Sequence, residues 1–337
     1  MKLSLAKFGI DGFLIGIISM VLLGYFFPGP GIATSPVSLE EIAGYGVSII
    51  FLFYGIKISP KQMKAGLLNW KMHLLIQATT FLFFPLLIIA VKPLFVSEQA
   101  SLIWLGTFFL AALPSTVSSS VVMVSIAKGN IPAAIFNATI SSLLGIVFTP
   151  LWTGLFIASD VGGFDVSSVV IKSALQVLLP AIIGMLLHHR FGAFAQKNSK
   201  RLKLFDQSII LLIIYTSFSH SFAEHLFDGF AVSTLLLLMA GMLLLFLAVL
   251  GITYTISKLL GFNMEDSITV MLCGSKKSLV HGTVMSKILF PNSTIMGIII
   301  MPLMLYHALQ LIASGIIAQR LANRKMSGPE NVVQAGT

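Results

Sequence analysis

Ala111-Ala112-Leu113-Pro114-Ser115-Thr116-Val117-Ser118-Ser119-Ser120 and Cys273-Gly274-Ser275-Lys276-Lys277-Ser278-Leu279 are two polar, helix-breaking stretches inside long apolar runs. Pro114 removes a backbone donor and clashes with the preceding turn. Gly274 supplies a permissive backbone at the matching place. Lys276 lies eight residues into a run that starts near Ile268, so about 12 Å deep at the helical rise. That is close to the middle of a ~30 Å hydrocarbon core. Snorkelling works only near helix ends, and a charge at this depth costs about 2.5–3.5 kcal/mol on insertion scales. Lys276 and Lys277 therefore mark a functional site. Unwound backbone at membrane depth has to line a cavity or be buried in protein. A lone serine there ordinarily packs helices or bonds back to the preceding turn. Five hydroxyl residues directly after a proline (Ser115, Thr116, Ser118, Ser119 and Ser120) read as binding groups.

The rest of the chain is apolar enough to make that depth real. Its 337 residues are 56% hydrophobic and only 10% charged, with mean hydropathy +0.96; soluble domains carry about 25% charged residues. Runs of roughly 20 mostly apolar residues can span a bilayer. Ten fit: residues 12–28, 42–58, 71–91, 101–126, 132–157, 168–188, 206–222, 233–257, 267–288 and 293–319. The sequence thus predicts an all-α polytopic membrane protein with ten transmembrane helices, embedded in a lipid bilayer. The first run follows Lys2 and Lys7, but no small-residue cleavage site follows it, so it reads as a span and not a signal peptide. The single cysteine, Cys273, excludes an internal disulfide.

Loop charges orient the spans. Sixteen Lys and Arg fall on one side: Lys2, Lys7, Lys57, Lys61, Lys64, Lys71, Lys128, Arg190, Lys197, Lys200, Arg201, Lys203, Lys258, Arg320, Arg324 and Lys325. Three fall on the other side: Lys92, Lys172 and Lys287. Positive loops stay in the cytoplasm, which predicts an inner-membrane protein with both termini cytoplasmic and an even span count. The basic stretch His188–Lys203 reads as a cytoplasmic linker that sets topology and meets anionic lipid. The net charge of +9 is thereby assigned to the membrane and not to nucleic acid.

Two short matches suggest a repeat. Gly145–Leu151 resembles Gly297–Leu303 at an offset of 152, and Ser48–Leu52 resembles Ser208–Leu212 at an offset of 160. Five spans per unit is odd, so the second unit enters the membrane inverted, a common plan of secondary transporters. This places a first five-helix repeat at 1–160, a second, inverted one at 161–325, and a disordered cytoplasmic tail at 326–337.

Weaker polar candidates lie nearby. Asn137, Thr139, Ser141 and Ser142 in span five can face the span-four break, and Gln77 and Thr80 lie in span three. His281 sits one turn beyond Lys277 and reads equally well as a binding group or as a satisfied buried histidine. His307 and Gln310 read as packing or rim residues, and His188-His189 as no metal site.

Pro114-Ser115-Thr116-Val117-Ser118-Ser119-Ser120, Lys128-Gly129-Asn130, Ile135-Phe136-Asn137, Leu144-Gly145-Ile146, Thr149-Pro150-Leu151 and Cys273–Leu279 together resemble the bile acid:sodium symporter superfamily. Within it the chain is most similar to the orphan bacterial symporter-like branch related to the seventh human member. That resemblance implies a core domain of spans three to five and eight to ten, in which discontinuous helices four and nine cross. It implies a panel domain of spans one, two, six and seven. It also implies substrate and cation sites at the crossover, and amphipathic or carboxylated organic anions as substrates, usually driven by sodium. It places sodium ligands at Ser119 and Ser120, at Ser141 or Ser142, and nearest Thr80, with Gln77 a turn away. The bile-acid branch has a glutamate in span nine that serves both sodium sites; here that stretch has two lysines and no carboxylate.

Like charges a few ångströms apart in low dielectric cost several kcal/mol. One or both ammonium groups are therefore expected to replace sodium or to hold the anionic substrate, through Gly274, Ser275, Lys276, Lys277 and Ser278. Proton coupling through either lysine is the alternative to sodium, and no other cofactor is expected. The function expected is a secondary active transporter of an organic anion working by alternating access. The rival readings are a regulatory or scaffold membrane protein, and an intramembrane enzyme built on Cys273, Lys276 and His281.

Overall fold

The computed structural model describes residues 12–36, 38–57, 69–160, 175, 179–225, 228, 231–290 and 293–323. The chain folds into helices: α1 (Gly12–Phe26), α2 (Gly29–Ile32), α3 (Leu39–Lys57), α4 (Trp70–Ala78) continuing through a π segment (Thr79–Phe83) into α5 (Phe84–Ala90), α6 (Glu98–Ala112), α7 (Ser118–Ile126) and α8 (Ile131–Asp160). The second half holds α9 (Leu179–Lys197), α10 (Ser199–Ala223), α11 (Val232–Leu259), α12 (Met264–Gly274), α13 (Leu279–Leu289) and α14 (Ser293–Ala322). Among the described residues, six continuous helical stretches are long and apolar enough to cross a bilayer: Leu39–Lys57, Trp70–Leu94, Ile131–Phe156, Ser199–Ala223, Val232–Leu259 and Ile295–Ala322. Both breaks expected in spans four and nine are present. They divide those spans into α6 with α7 and α12 with α13.

The helices pack as two groups. In one, α3 lies on α9 and α10, and α1 on α10. In the other, α4 to α8 pack with α11 to α14 around the two breaks, and α6 lies along α14. The groups meet where α10 rests on α13 and α14. In the first group, α3 and α9 approach through glycines. A Cβ on Gly55 would collide with the Ala181 carbonyl oxygen, and one on Gly184 with the Leu52 carbonyl oxygen. Close backbone approach of this kind is how helices associate where no water drives them together.

The structure adds detail to two expectations. The basic linker His188–Lys203 is helical: α9 runs on to Lys197 and α10 starts at Ser199. It stays wound because Ala195 and Leu202 bury against Ile56, and because His188 Nδ1 lies 2.7 Å from the Ile56 carbonyl oxygen. The two repeat matches also fare differently. Ser48 and Ser208 each lie nine residues after the starts of α3 and α10. Pro150 and Pro302 lie 19 and 9 residues after the starts of α8 and α14. They stand about 15 Å apart in helical level, so the match that pairs them is not a structural equivalence. The helix boundaries themselves repeat at 162: Trp70 with Val232, Ala112 with Gly274, and Ile131 with Ser293. Lys2, Lys7, Lys61, Lys64, Lys172, the start of the sixth span and the 326–337 tail lie outside the described residues.

Candidate functional site

The crossover is assembled from backbone groups that the breaks release. Pro114 has no N–H to continue α6, so α6 stops at Ala112 and exposes its last carbonyls. Each finds a donor from another element. Ala111 O and Leu113 O accept from the Lys277 ammonium at 2.6 and 2.9 Å. Ala112 O accepts from the Thr149 hydroxyl at 2.8 Å, and Pro114 O from the Ser278 amide at 2.9 Å. The other break is held in the same way. Cys273 O accepts from the Ser115 hydroxyl at 2.6 Å, and Ser275 O from Tyr306 OH at 2.6 Å. The Lys277 peptide is gripped on both sides by the Gln310 amide: its N–H donates to Oε1 at 2.9 Å, and its carbonyl accepts from Nε2 at 2.7 Å.

Lys277 has a third carbonyl partner, Thr80 O, at 2.7 Å. Local sequence explains why it is available. The π segment sends the Phe84 amide to Thr79 O, and the next amide along belongs to Pro85, which has no N–H. Thr80 O is thus left without a helical donor and turns to the ammonium. The Phe84 ring lies 4.1 Å below the same nitrogen, within cation–π range. All three N–H bonds of Lys277 are therefore spent. It occupies the electronegative end of α6, where the helix dipole favours a cation.

Lys276 is equally buried but differently placed. Its ammonium donates to Ser119 O at 3.0 Å, in the first turn of α7. Around that turn the hydroxyls form a chain. Ser119 Oγ donates to Thr116 Oγ1 at 2.8 Å, Thr116 Oγ1 and Ser120 Oγ lie 2.8 Å apart, and Ser141 Oγ accepts from the Ser115 amide at 2.9 Å. Ser278 caps α13 and contacts His281 Nδ1 at 3.0 Å. His281 in turn stacks on Tyr54 of α3, with ring centroids 5.0 Å apart and planes 4° apart.

The structure thus gathers Pro114, Ser115, Thr116, Ser119, Ser120, Ser141, Ser275, Lys276, Lys277 and Ser278 at one crossing. Other candidates behave differently from expectation. Ser142 donates to Ala138 O within its own helix, whereas Ser141 accepts from the Ser115 amide across the break. The Thr80 hydroxyl bonds back to Ile76 O, and Thr80 contributes its carbonyl instead. Gln77 and Asn137 form a separate cluster. Gln77 Nε2 donates to Asn137 Oδ1 at 3.1 Å, and Asn137 Nδ2 lies 2.7 Å from His73 Nδ1. Ser275 bonds to Met271 O in its own helix. Gly274 ends α12, and a Cβ there would make only ordinary contacts. The Ser118 side chain lies outside the described residues. Gln310, read from sequence as packing, is a fully buried clamp. Its signal was a lone amide in an apolar run. Gly145 was quoted only as part of a motif, yet a Cβ there would come within 2.6 Å of the Pro114 ring.

Two broken helices meet at their breaks around two buried lysines, in a bundle whose long helices are apolar enough to cross a bilayer. Residues 11–323 match the SBF-like CPA transporter family. The chain belongs to that family and is a transporter, not an enzyme. An uncharacterized protein of Pseudomonas aeruginosa is 38% identical over 96% of both chains. YfeH of Escherichia coli K12, which carries a provisional symporter name, is 34% identical over 92% of both. Sodium/bile acid cotransporter 7 of Rattus norvegicus is 27% identical over 96% of this chain and 95% of its own.

Proposed function

We propose that the protein moves an organic anion across the inner membrane by alternating access, with Lys277 as a built-in cation and Lys276 as the anchor for the anion. One observation carries this reading: the Lys277 ammonium already has three carbonyl oxygens at 2.6–2.9 Å, the surroundings a bound monovalent cation would need. Among the described residues Lys276 donates to a single carbonyl, which leaves N–H bonds for a carboxylate or sulfate. Thr116, close by in the same hydroxyl chain, offers its hydroxyl to the same anion.

In this reading the chain has ten spans, two of them broken, in two inverted repeats, with both termini cytoplasmic. The repeating helix boundaries and the loop charges support that layout. The group holding the crossover is the core, and α1, α3, α9 and α10 form the panel against which it rocks. Sodium is not needed at the α6 end, since two cations there would repel.

The test is ligand-induced thermal stabilisation of the detergent-purified protein against a panel of aliphatic and steroidal carboxylates and sulfates. At least one anion should raise the melting temperature of wild type and leave Lys276→Ala unmoved. A panel that stabilises neither, or both alike, overturns the assignment.

A further inference from the structure

Among the described residues, an ion pair and a hydrogen bond join the two helix groups where α3 and α14 begin. At the start of α3, Glu40 has partners in both groups. One carboxylate oxygen pairs with Lys287, near the end of the core half-helix α13, and the other lies 3.5 Å from His220 Nε2 of α10. The Gly297 amide at the start of α14 donates to Ser221 of α10 at 3.2 Å. Toward the other end of α3, one turn before Lys57, His281 of α13 stacks on Tyr54. On the opposite face two charged side chains each have partners within one group. Lys57 pairs with Asp206 at 3.5 Å between α3 and α10. Asp266 is held by Asn69 and Asn130 at 2.9 and 2.8 Å inside the core.

We propose that Glu40 and Lys287 form a gate that closes the crossover on the Glu40 face, so that the structure holds the conformation shut on that side. The proposal rests on the alternating-access reading. A pair linking the two bodies must break whenever one rocks away from the other, whereas Lys57–Asp206 travels with the panel and Asp266 with the core. Lys287 is the only Lys or Arg between Lys277 and Arg320, so α13 and the start of α14 offer Glu40 no second lysine or arginine.

The chain supplies its own reporter. Cys273 is its one cysteine and lies buried at the crossover. A membrane-impermeant maleimide applied to right-side-out and inverted vesicles reads which face reaches it. Wild type should label faster from the face opposite Glu40. Glu40→Gln and Lys287→Met should each raise labelling from the Glu40 face by about fivefold, the population shift an ordinary partly exposed ion pair supports. The swap Glu40→Lys with Lys287→Glu should restore the wild-type pattern. As a second measurement, Glu40→Cys with Lys287→Cys in a Cys273→Ser background should cross-link on oxidation and abolish transport until reduced. Wild type labelled from the opposite face, with variants indistinguishable from it and no cross-link, overturns the gate and leaves the transporter reading intact. Cys273 unreactive from either face in every variant, with no cross-link, likewise overturns the gate.

Discussion

Gln310 holds Lys277 by both halves of its peptide, accepting from the N–H at 2.9 Å and donating to the carbonyl at 2.7 Å. A side-chain amide here does what a neighbouring strand does in a sheet. It lets the backbone stay unwound at membrane depth and fixes the direction in which the Lys277 side chain leaves. Gln310→Met keeps the volume and removes both bonds, leaving a buried N–H and a buried carbonyl unpaired. Each such group costs about 1–3 kcal/mol. The variant should melt several degrees lower in detergent. A melting temperature equal to wild type would mean that the clamp carries no energy.

Lys277→Ala removes the donor shared by Thr80 O, Ala111 O and Leu113 O. It should destabilise more than Lys276→Ala, whose ammonium serves one carbonyl. The space it leaves is shaped for an ammonium ion. Added ethylammonium or propylammonium should restore stability to Lys277→Ala, by about 2.7 kcal/mol at a hundredfold excess over Kd. The same amines should leave wild type and Lys276→Ala unchanged. If they rescued all three proteins equally, or none, Lys277 would not be a tethered cation.

The broken helices and the depth of both lysines were legible in the sequence because each is a local rule violated: a proline and two charges where a span should be apolar. Pairwise geometry was not legible. The resemblance put a ligand position nearest Thr80 without naming the atom; the structure uses its carbonyl, and only the combination of a π segment with Pro85 frees that group. Gln310 looked like packing because its partner is a backbone 33 residues away that is unwound only in the folded protein. The match between Pro150 and Pro302 misled because apolar spans share composition, and a few residues of similarity do not fix helical level. The match at Ser48 and Ser208, equally short, was in register.

Glycine substitutions separate packing from chemistry. A Cβ on Gly55 or Gly184 would strike backbone of the facing helix, which cannot yield as a flexible side chain can. Gly55→Ala and Gly184→Ala should therefore cost about 1–3 kcal/mol or more and loosen α3 from α9. Gly241 and Gly251 in α11 have nothing within 4 Å of the added Cβ. Gly241→Ala and Gly251→Ala should be neutral or stabilising by up to about 1 kcal/mol, the ordinary helical gain of Ala over Gly. Thermal unfolding of the four variants checks the contrast, and equal losses at all four positions would contradict the packing of α3 on α9.

Cation dependence decides whether the crossover works with an internal charge or a bound one. If Lys277 occupies the cation position, unfolding curves of wild type in sodium, lithium, potassium and choline chloride at equal ionic strength should coincide. A bound ion would stabilise the folded state by mass action, about 2.7 kcal/mol at a hundredfold excess over Kd. That shift is easily resolved for a chain of this size. A rise specific to sodium would place a sodium site among the remaining hydroxyls, with Ser119, Ser120 and Ser141 the residues to replace next. In that case Ser120→Ala should abolish the sodium shift while leaving the choline curve nearly unchanged. With coincident curves, the built-in cation stands, and the ion that drives transport has to act elsewhere than at the end of α6.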